Sequence, residues 1–364
     1  MIRFVPAVFC LCLLSSCEIE TLIQEYDEGW RLQLNNDFSE QNPGYFSGLS
    51  TLNDGSILIV YEAIGSSDGS ELNLLQVSPD GNMINSGELL ITEFDIDIRN
   101  PSVVDQVQFL NSTVSAFTER AILQIDQSLS SEITSIEPEL LFESLTITHL
   151  GVSHFYIGGF SNNRDNFLIS KNDFTGEVEW TFSLGTLRPL EILEGTDGVI
   201  FVLAQLDSQN QYLFSISQNG ELEWSHSLNN SEGIFSWLRE ALSIYGSPSN
   251  TTSLIGNSDT DNLFFGIVGP RGSMVLQRNI RDFTGDQVED FLVTQDGGYT
   301  VVLLGDDLTS PMFTVLRLNH AGEIAWQQDY DFPNPSSDLQ LIELVNKDII
   351  VLSGTGELIQ LIPD

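Results

Sequence analysis

The chain has 364 residues, of which 52 are acidic and 13 basic, for a formal net charge of −39. That surplus repels nucleic-acid phosphates and anionic lipid headgroups and so excludes both as electrostatic partners. With 41% hydrophobic residues and its acids scattered rather than blocked, the sequence also reads as a folding chain, not a disordered one.

Met1-Ile2-Arg3 makes a short cationic start, and the apolar run from Phe4 to Leu14 is too short to span a bilayer. The run closes on Leu14-Ser15-Ser16-Cys17. Small residues before a cysteine at this position resemble the lipobox of bacterial lipoproteins. The resemblance implies a signal peptide over 1–16, acylation of Cys17 and an address in the outer membrane, with either face open. Cysteine counting agrees, because Cys10 and Cys12 leave with the signal. Cys17 then stands alone, so no internal disulfide forms and the lipid gives the thiol a use. Residues 17–28 read as an acidic tether, similar to the surface-export signals of some Bacteroidetes lipoproteins, although Ile19 splits the acids.

From residue 29 to 364 the pattern is all-β. Short β-branched and aromatic runs alternate with Gly, Asn, Asp and Ser turns, and no stretch holds a helical period. The turns recur at a long interval. Gly176, Gly220 and Gly322 are each followed four residues later by a tryptophan (Trp180, Trp224, Trp326), while Gly81 and Gly272 keep the glycine without the tryptophan. Each unit reads as four strands. In the fourth these are Leu190–Leu193, Val199–Ala204, Tyr212–Ser217 and Leu222–Leu228. In the sixth they are Phe291–Thr294, Tyr299–Leu304, Phe313–Leu318 and Ile324–Tyr330. A degenerate unit falls at Val107 to Glu132. Four antiparallel strands per repeat of this length describe one blade of a β-propeller.

After Trp326 only three strands remain, Leu339–Val345, Ile349–Ser353 and Glu357–Ile362. Trp30-Arg31-Leu32-Gln33-Leu34, near the other end of the chain, has the look of the missing fourth. The N-terminal strand is therefore expected to complete the last blade and close a ring of seven, with six or eight as alternative counts; closure removes exposed edges. A monomeric ring is expected.

Asn172-Asp173-Phe174-Thr175-Gly176-Glu177-Val178-Glu179-Trp180 resembles the tryptophan-docking repeat of quinoprotein-like propellers, in which Thr-Gly precedes Trp by three residues. The motif is complete in this unit alone; the fourth and sixth units keep Gly and Trp. The wider resemblance extends to an outer-membrane assembly scaffold family of that superfamily, which has eight blades and no catalytic activity. The quinone cofactor of the catalytic members finds no support here, since no vicinal cysteines survive processing.

No catalytic set is expected. Gly65-Ser66-Ser67-Asp68-Gly69 fits a nucleophile-elbow pattern but joins two strands with no helix behind it. His149, His154, His226 and His320 have no zinc spacing. No cofactor is predicted. Asp259-Thr260-Asp261-Asn262, Asp95-Ile96-Asp97 and Asp306-Asp307 offer oxygen ligands for Ca²⁺, yet none has the glycine and distal glutamate of an EF-hand loop.

The cations carry more information. In a propeller the connections between blades and the loops between second and third strands gather on one face, around the mouth of the central channel. Arg99, Arg188, Arg239 and Arg281 fall in the former, and Arg120 and Arg164 in the latter. A local positive funnel of this kind binds a carboxylate- or sulfate-bearing ligand through forked guanidinium contacts. Phe235 and Trp237 are expected to add an apolar platform beside Arg239. The bland alternative pairs these arginines with Glu93, Asp97, Glu191, Glu240 and Asp282. The function expected is a non-enzymatic, lipid-anchored envelope propeller binding a partner protein or glycan. The alternative is a cell-envelope hydrolase or lyase acting on acidic polysaccharide, which needs two facing carboxylates in the funnel.

Overall fold

The computed structural model describes residues 26–34, 45–52, 54–64, 70–90, 106–110, 113–118, 121–125, 131–135, 144–150, 153–161, 166–195, 198–207, 210–228, 235, 238–246, 251–258, 262–280, 287–305, 312–331, 339–354 and 356–363. Chain order begins with β1 (Tyr26–Gln33), which opens a few residues ahead of the boundary at 29 expected from the sequence. Blade 1 holds β2 (Tyr45–Thr51), β3 (Ile57–Ile64), β4 (Ser70–Val77) and β5 (Met83–Leu90). Blade 2 holds β6 (Gln106–Leu110), β7 (Thr113–Thr118), β8 (Ala121–Ile125) and β9 (Ser131–Ser135), where the degenerate repeat was expected. Blade 3 has β10 (Ser144–Leu150), β11 (His154–Ser161), β12 (Asn166–Asp173) and β13 (Val178–Gly185). Blade 4 has β14 (Arg188–Glu194), β15 (Ile200–Asp207), β16 (Asn210–Ile216) and β17 (Leu222–Ser227). Blade 5 has β18 (Leu238–Gly246), β19 (Thr252–Ser258), β20 (Leu263–Val268) and β21 (Met274–Ile280). Blade 6 has β22 (Gln287–Val293), β23 (Tyr299–Leu304), β24 (Met312–Leu318) and β25 (Ile324–Asp331). The last blade contributes β26 (Gln340–Glu343), β27 (Ile349–Leu352) and β28 (Glu357–Pro363).

These strands form seven four-stranded antiparallel sheets. The seventh is ordered β1-β28-β27-β26, so the N-terminal strand does complete the last blade. Tyr26 faces Pro363 and Gln33 faces Glu357 across that seam. The first strand of each blade meets the first strand of the next, and β26 returns to β2, which closes the ring. The chain is a β-propeller.

The core lies between blades, not inside them. Where burial is described, the middle strands are apolar on both faces, because each face is covered by a neighbour, so they read as continuous apolar runs and lose strict alternation. β20 (Leu-Phe-Phe-Gly-Ile-Val) is buried at every residue. One core joins blades 6 and 7 through Val302, Phe313, Val315 and Trp326 against Leu341, Val351, Ile359 and Leu361. Another joins blades 4 and 5 through Phe201, Leu203 and Leu213 against Leu254 and Phe264. The seam is equally dry, with Leu34, Leu49, Ile57 and Ile59 packed on Ile350, Leu352 and Leu358. Each such side chain, fully buried, contributes about 1.5–3 kcal/mol.

The hairpins that join the third and fourth strands share one design. Gly81, Gly176, Gly220, Gly272 and Gly322 all have positive φ. The glycine N–H donates to the carbonyl three residues back, as from Gly220 to Ser217 at 2.9 Å, and the register then shifts by one residue. A left-handed residue at that bulge is costly for any side chain and cheap for glycine.

Candidate functional site

Two faces follow from the strand order. One carries the turns that join first to second and third to fourth strands, the other the connections between blades and the loops between second and third strands; of the expected arginines, the described Arg188 and Arg239 belong to the second. Arg188 is the first residue of β14, and Arg239 is the second residue of β18. Both therefore stand at the channel-mouth end of neighbouring inner strands, within the strands themselves and not in the connections expected from sequence. Arg188 is exposed and makes no ion pair among the described residues. Arg99, Arg281, Arg120, Arg164 and Trp237 lie outside the described residues, as do Cys17, the Gly65–Gly69 segment, and the Ca²⁺ candidates at 95–97, 259–261 and 306–307.

Phe235 corrects an expectation. It is not a platform but a core residue, 1% exposed, with its ring edge-on to Phe264 at 5.2 Å. The physical reason is Gly266: a Cβ there would stand 2.8 Å from the phenyl ring, so the glycine opens the slot that Phe235 fills. A connection of mixed polarity hid this, because one aromatic of an adjacent pair can turn inward.

The inner strands carry acids with a role that sequence reasoning missed: Glu191 was expected only as an arginine partner, and Asp290 was not singled out. Glu191 of β14 accepts the Ile244 N–H of β18 at 2.8 Å. Asp290 of β22 accepts the Leu341 N–H of β26 at 2.6 Å, and its other oxygen accepts the Phe291 N–H at 2.7 Å. Both acids follow a register shift, at Pro189/Glu191 and Val288/Asp290. An inner strand is the edge of its sheet, so its outward amides need partners, and a carboxylate from the preceding blade supplies one. Burial pushes Asp290 up to about 6, against the two amide bonds that favour its ionised form. Gln211 does the same with a neutral group, donating to Ala241 O at 2.9 Å and accepting from Ala241 N at 2.6 Å. The signal was available: Glu191 and Asp290 occupy the same position when units four and six are aligned on their strands.

The opposite face is tied down by tryptophans. Trp30 donates its Nε1–H to Pro79 O at 2.8 Å, Trp180 to Gln218 O at 3.0 Å, and Trp224 to Pro270 O at 3.0 Å. In each case the acceptor is on the hairpin turn of the following blade. Blade 5 has Leu276 at the tryptophan position, and there Arg278 donates its Nε–H to Ala321 O at 3.1 Å instead. Trp326 has no such turn ahead of it, since the outer strand of blade 7 comes from the N-terminal segment; it is buried in the core between blades 6 and 7. On the same face Arg317, buried, pairs with Asp296, while Glu343 of the next blade accepts the Gln295 N–H at 2.6 Å.

His154 and Tyr156 both meet Glu194 Oε1, at 3.1 and 3.4 Å, across the boundary of blades 3 and 4. Burial, reinforced by the Glu194 charge, holds the Tyr156 phenol well above its usual range, so it remains a proton donor. Ser153 Oγ lies 3.4 Å from His154 Nδ1, too long for an activated nucleophile. This cluster sits with the hairpins, away from the arginines. No group of three or more His, Cys, Asp or Glu side chains that could hold a metal ion occurs among the described residues.

No protein-family model matches the sequence, and no curated protein matches it. Solved structures do match in shape. Virginiamycin B lyase from Staphylococcus aureus aligns at a TM-score of 0.59 with 12% identity, covering 93% of this chain and 99% of the lyase. YCF48 bound to D1 peptide aligns at 0.57 with 11% identity, covering 93% and 96%. The Pan2 WD40 domain of Neurospora crassa aligns at 0.53 with 11% identity, covering 93% and 95%. At such identities the likeness is one of fold.

Proposed function

We propose that this chain is a non-enzymatic binding propeller, held at the outer membrane of the cell envelope through acyl chains on Cys17. Its ligand face is the channel mouth, with Arg99, Arg188, Arg239 and Arg281 as anion contacts and Trp237 as an apolar neighbour. The ligand is an acidic partner protein or glycan. The observation that supports this reading is Arg188, exposed and without an ion pair among the described residues, at the head of an inner strand in a protein of net charge −39. A guanidinium left open in such surroundings is a directed anion site, because its forked donors match a carboxylate or sulfate.

The inner acids favour binding over polysaccharide cleavage. A hydrolytic or lytic propeller needs carboxylates free to exchange protons with a substrate. Both oxygens of Asp290 accept backbone amides, and Glu191 Oε2 accepts another. Propeller structures serve both uses, so the fold itself decides neither. The test is capture of ligands from native envelope, together with an array of acidic glycans. Wild-type protein is expected to retain a ligand that the combined Arg188→Ala, Arg239→Ala, Arg281→Ala variant loses. Unchanged capture by that variant would sink the proposal.

A further inference from the structure

The outer strand of every blade is a sheet edge, with one row of backbone groups facing solvent. Exposed edges invite another strand, and proteins guard them with charge. Here the guard is acid. By sequence, Glu88 on β5, Glu132 on β9, Glu179 on β13, Glu223 on β17, Asp329 on β25, and Asp27 with Glu28 against Arg31 on β1, leave each of those strands net negative.

β21 is the exception. Its sequence, Met-Val-Leu-Gln-Arg-Asn-Ile, has no acid and one cation, Arg278. The position after the turn glycine, which is Glu177, Glu221 or Glu323 in three other hairpins, is Ser273 here, and the turn itself carries Arg271. Arg271 is exposed and makes no ion pair among the described residues. Arg278 reaches Glu323 at 3.5 Å with its side chain still 44% exposed, a contact that water screens. Met274 and Val275 open the strand 45% and 61% exposed.

The geometry points to β21 as a docking edge for an extended acidic segment of a partner protein, which adds as a fifth strand to blade 5. Main-chain pairing along the open edge supplies affinity, and the side chains at alternate positions supply choice. Apolar residues of the incoming strand cover Met274 and Val275, and its acids lie beside Arg271 and Arg278. Specificity comes from the rest of the ring: the same segment is repelled at the other six edges, where acids stand. This edge lies on the outer rim and is distinct from the channel mouth, so it goes beyond the function proposed above.

The test uses the full-length protein and a fluorescein-labelled octapeptide of alternating Glu and Val, followed by anisotropy. The peptide is expected to bind saturably and to weaken as salt is raised. An alternating Lys–Val peptide, and a Glu–Val peptide interrupted by proline, are expected not to bind. Arg271→Glu is expected to weaken the acidic peptide about tenfold, since reversal replaces an attraction by a repulsion. Arg271 is exposed and makes no ion pair among the described residues, so this variant is expected to fold, which its thermal unfolding checks; the same variant leaves capture at the mouth intact, which separates the two proposals. Equal binding of the Lys–Val peptide, absence of acidic-peptide binding, or binding that follows Arg188 instead of Arg271 would each overturn the assignment. Occupation of the edge by a second copy of the chain, seen as dimers that Arg271→Glu disperses and the peptide does not, would overturn it as well.

Discussion

Trp180 of blade 3 lies over Gly220 of blade 4, so closely that a methyl at position 220 would stand 2.7 Å from the indole, while the ring donates to Gln218 O at 3.0 Å. One glycine thus serves two demands: a positive φ of 80° in its own hairpin and a flat seat for the neighbour's ring. Gly220→Ala is expected to destabilise the protein by about 2–3 kcal/mol, from left-handed strain and overpacking together. Trp180→Ala should cost about 2–3 kcal/mol, less than a fully buried tryptophan because the ring is only partly buried. In the Trp180→Ala background, Gly220→Ala should cost only the backbone strain, about 1 kcal/mol. Urea unfolding of the four proteins gives the coupling, and strict additivity would refute the contact.

Asp290 makes stability fall as pH rises. Its folded pKa of about 6 lies above the ordinary aspartate value of 3.8. Below both values the carboxyl is neutral in folded and unfolded chains, and burial carries no penalty. Between them the unfolded chain releases its proton while the folded one holds it, so about 3 kcal/mol is lost by the time pH passes 6. Asp290→Asn removes this slope. The difference in unfolding free energy between wild type and variant should change by that amount from pH 2.5 to pH 7; a constant difference would show that the group titrates normally.

Arg317 acts in the opposite sense through Asp296. Burial works against the Asp296 carboxylate, but hydrogen bonds from Arg317 and Thr294 outweigh it and hold its pKa well below the ordinary range. The stability this contributes is present above about pH 4 and lost as pH falls through the depressed value. Arg317→Met keeps the packing and removes the charge. The expected cost is about 1–2 kcal/mol at pH 7, a modest figure because Asp296 is 47% exposed and water screens the pair. The gap to wild type should narrow in acid, as thermal unfolding at pH 7 and pH 2.5 will show.

Lys347 occupies, with φ of 73°, the hairpin position that Gly55 and Gly297 fill in blades 1 and 6. Lys347→Gly relieves a left-handed side chain and is expected to stabilise the protein by about 1 kcal/mol. A lower melting temperature in the variant would mean that the lysine side chain holds the turn.

For the anchor, Cys17→Ser should shift the protein from the membrane to the soluble fraction when expressed in its native envelope. The proposed acyl chains would each contribute about 0.8 kcal/mol per buried methylene. Retention of the serine variant in the membrane fraction would contradict the anchor.

Local rules made the blades legible. Tyr299–Leu304 appears as expected for β23, and every strand of unit four lies within a few residues of its expected place. Hairpins are short-range objects, and glycine at a bulge next to alternating β-branched residues states their geometry in the residues themselves. The seam was legible for a similar reason: three strands at one end and a lone Trp30 strand at the other leave one way to finish a sheet. What the sequence by itself determined is therefore the repeat, the ring and the place of each arginine along the chain.

Only the tertiary structure decided which side chains are spent on holding the ring. Glu191 reaches an amide 53 positions away and Asp290 one 51 positions away, distances at which no local pattern reports a partner. Phe235 fills a slot that exists only because Gly266 lies on a facing strand, and Arg278 replaces a tryptophan because Ala321 of the next blade offers a carbonyl. A propeller builds its core between consecutive repeats. The environment of a residue is then set by the neighbouring blade, and its own hairpin holds no record of it.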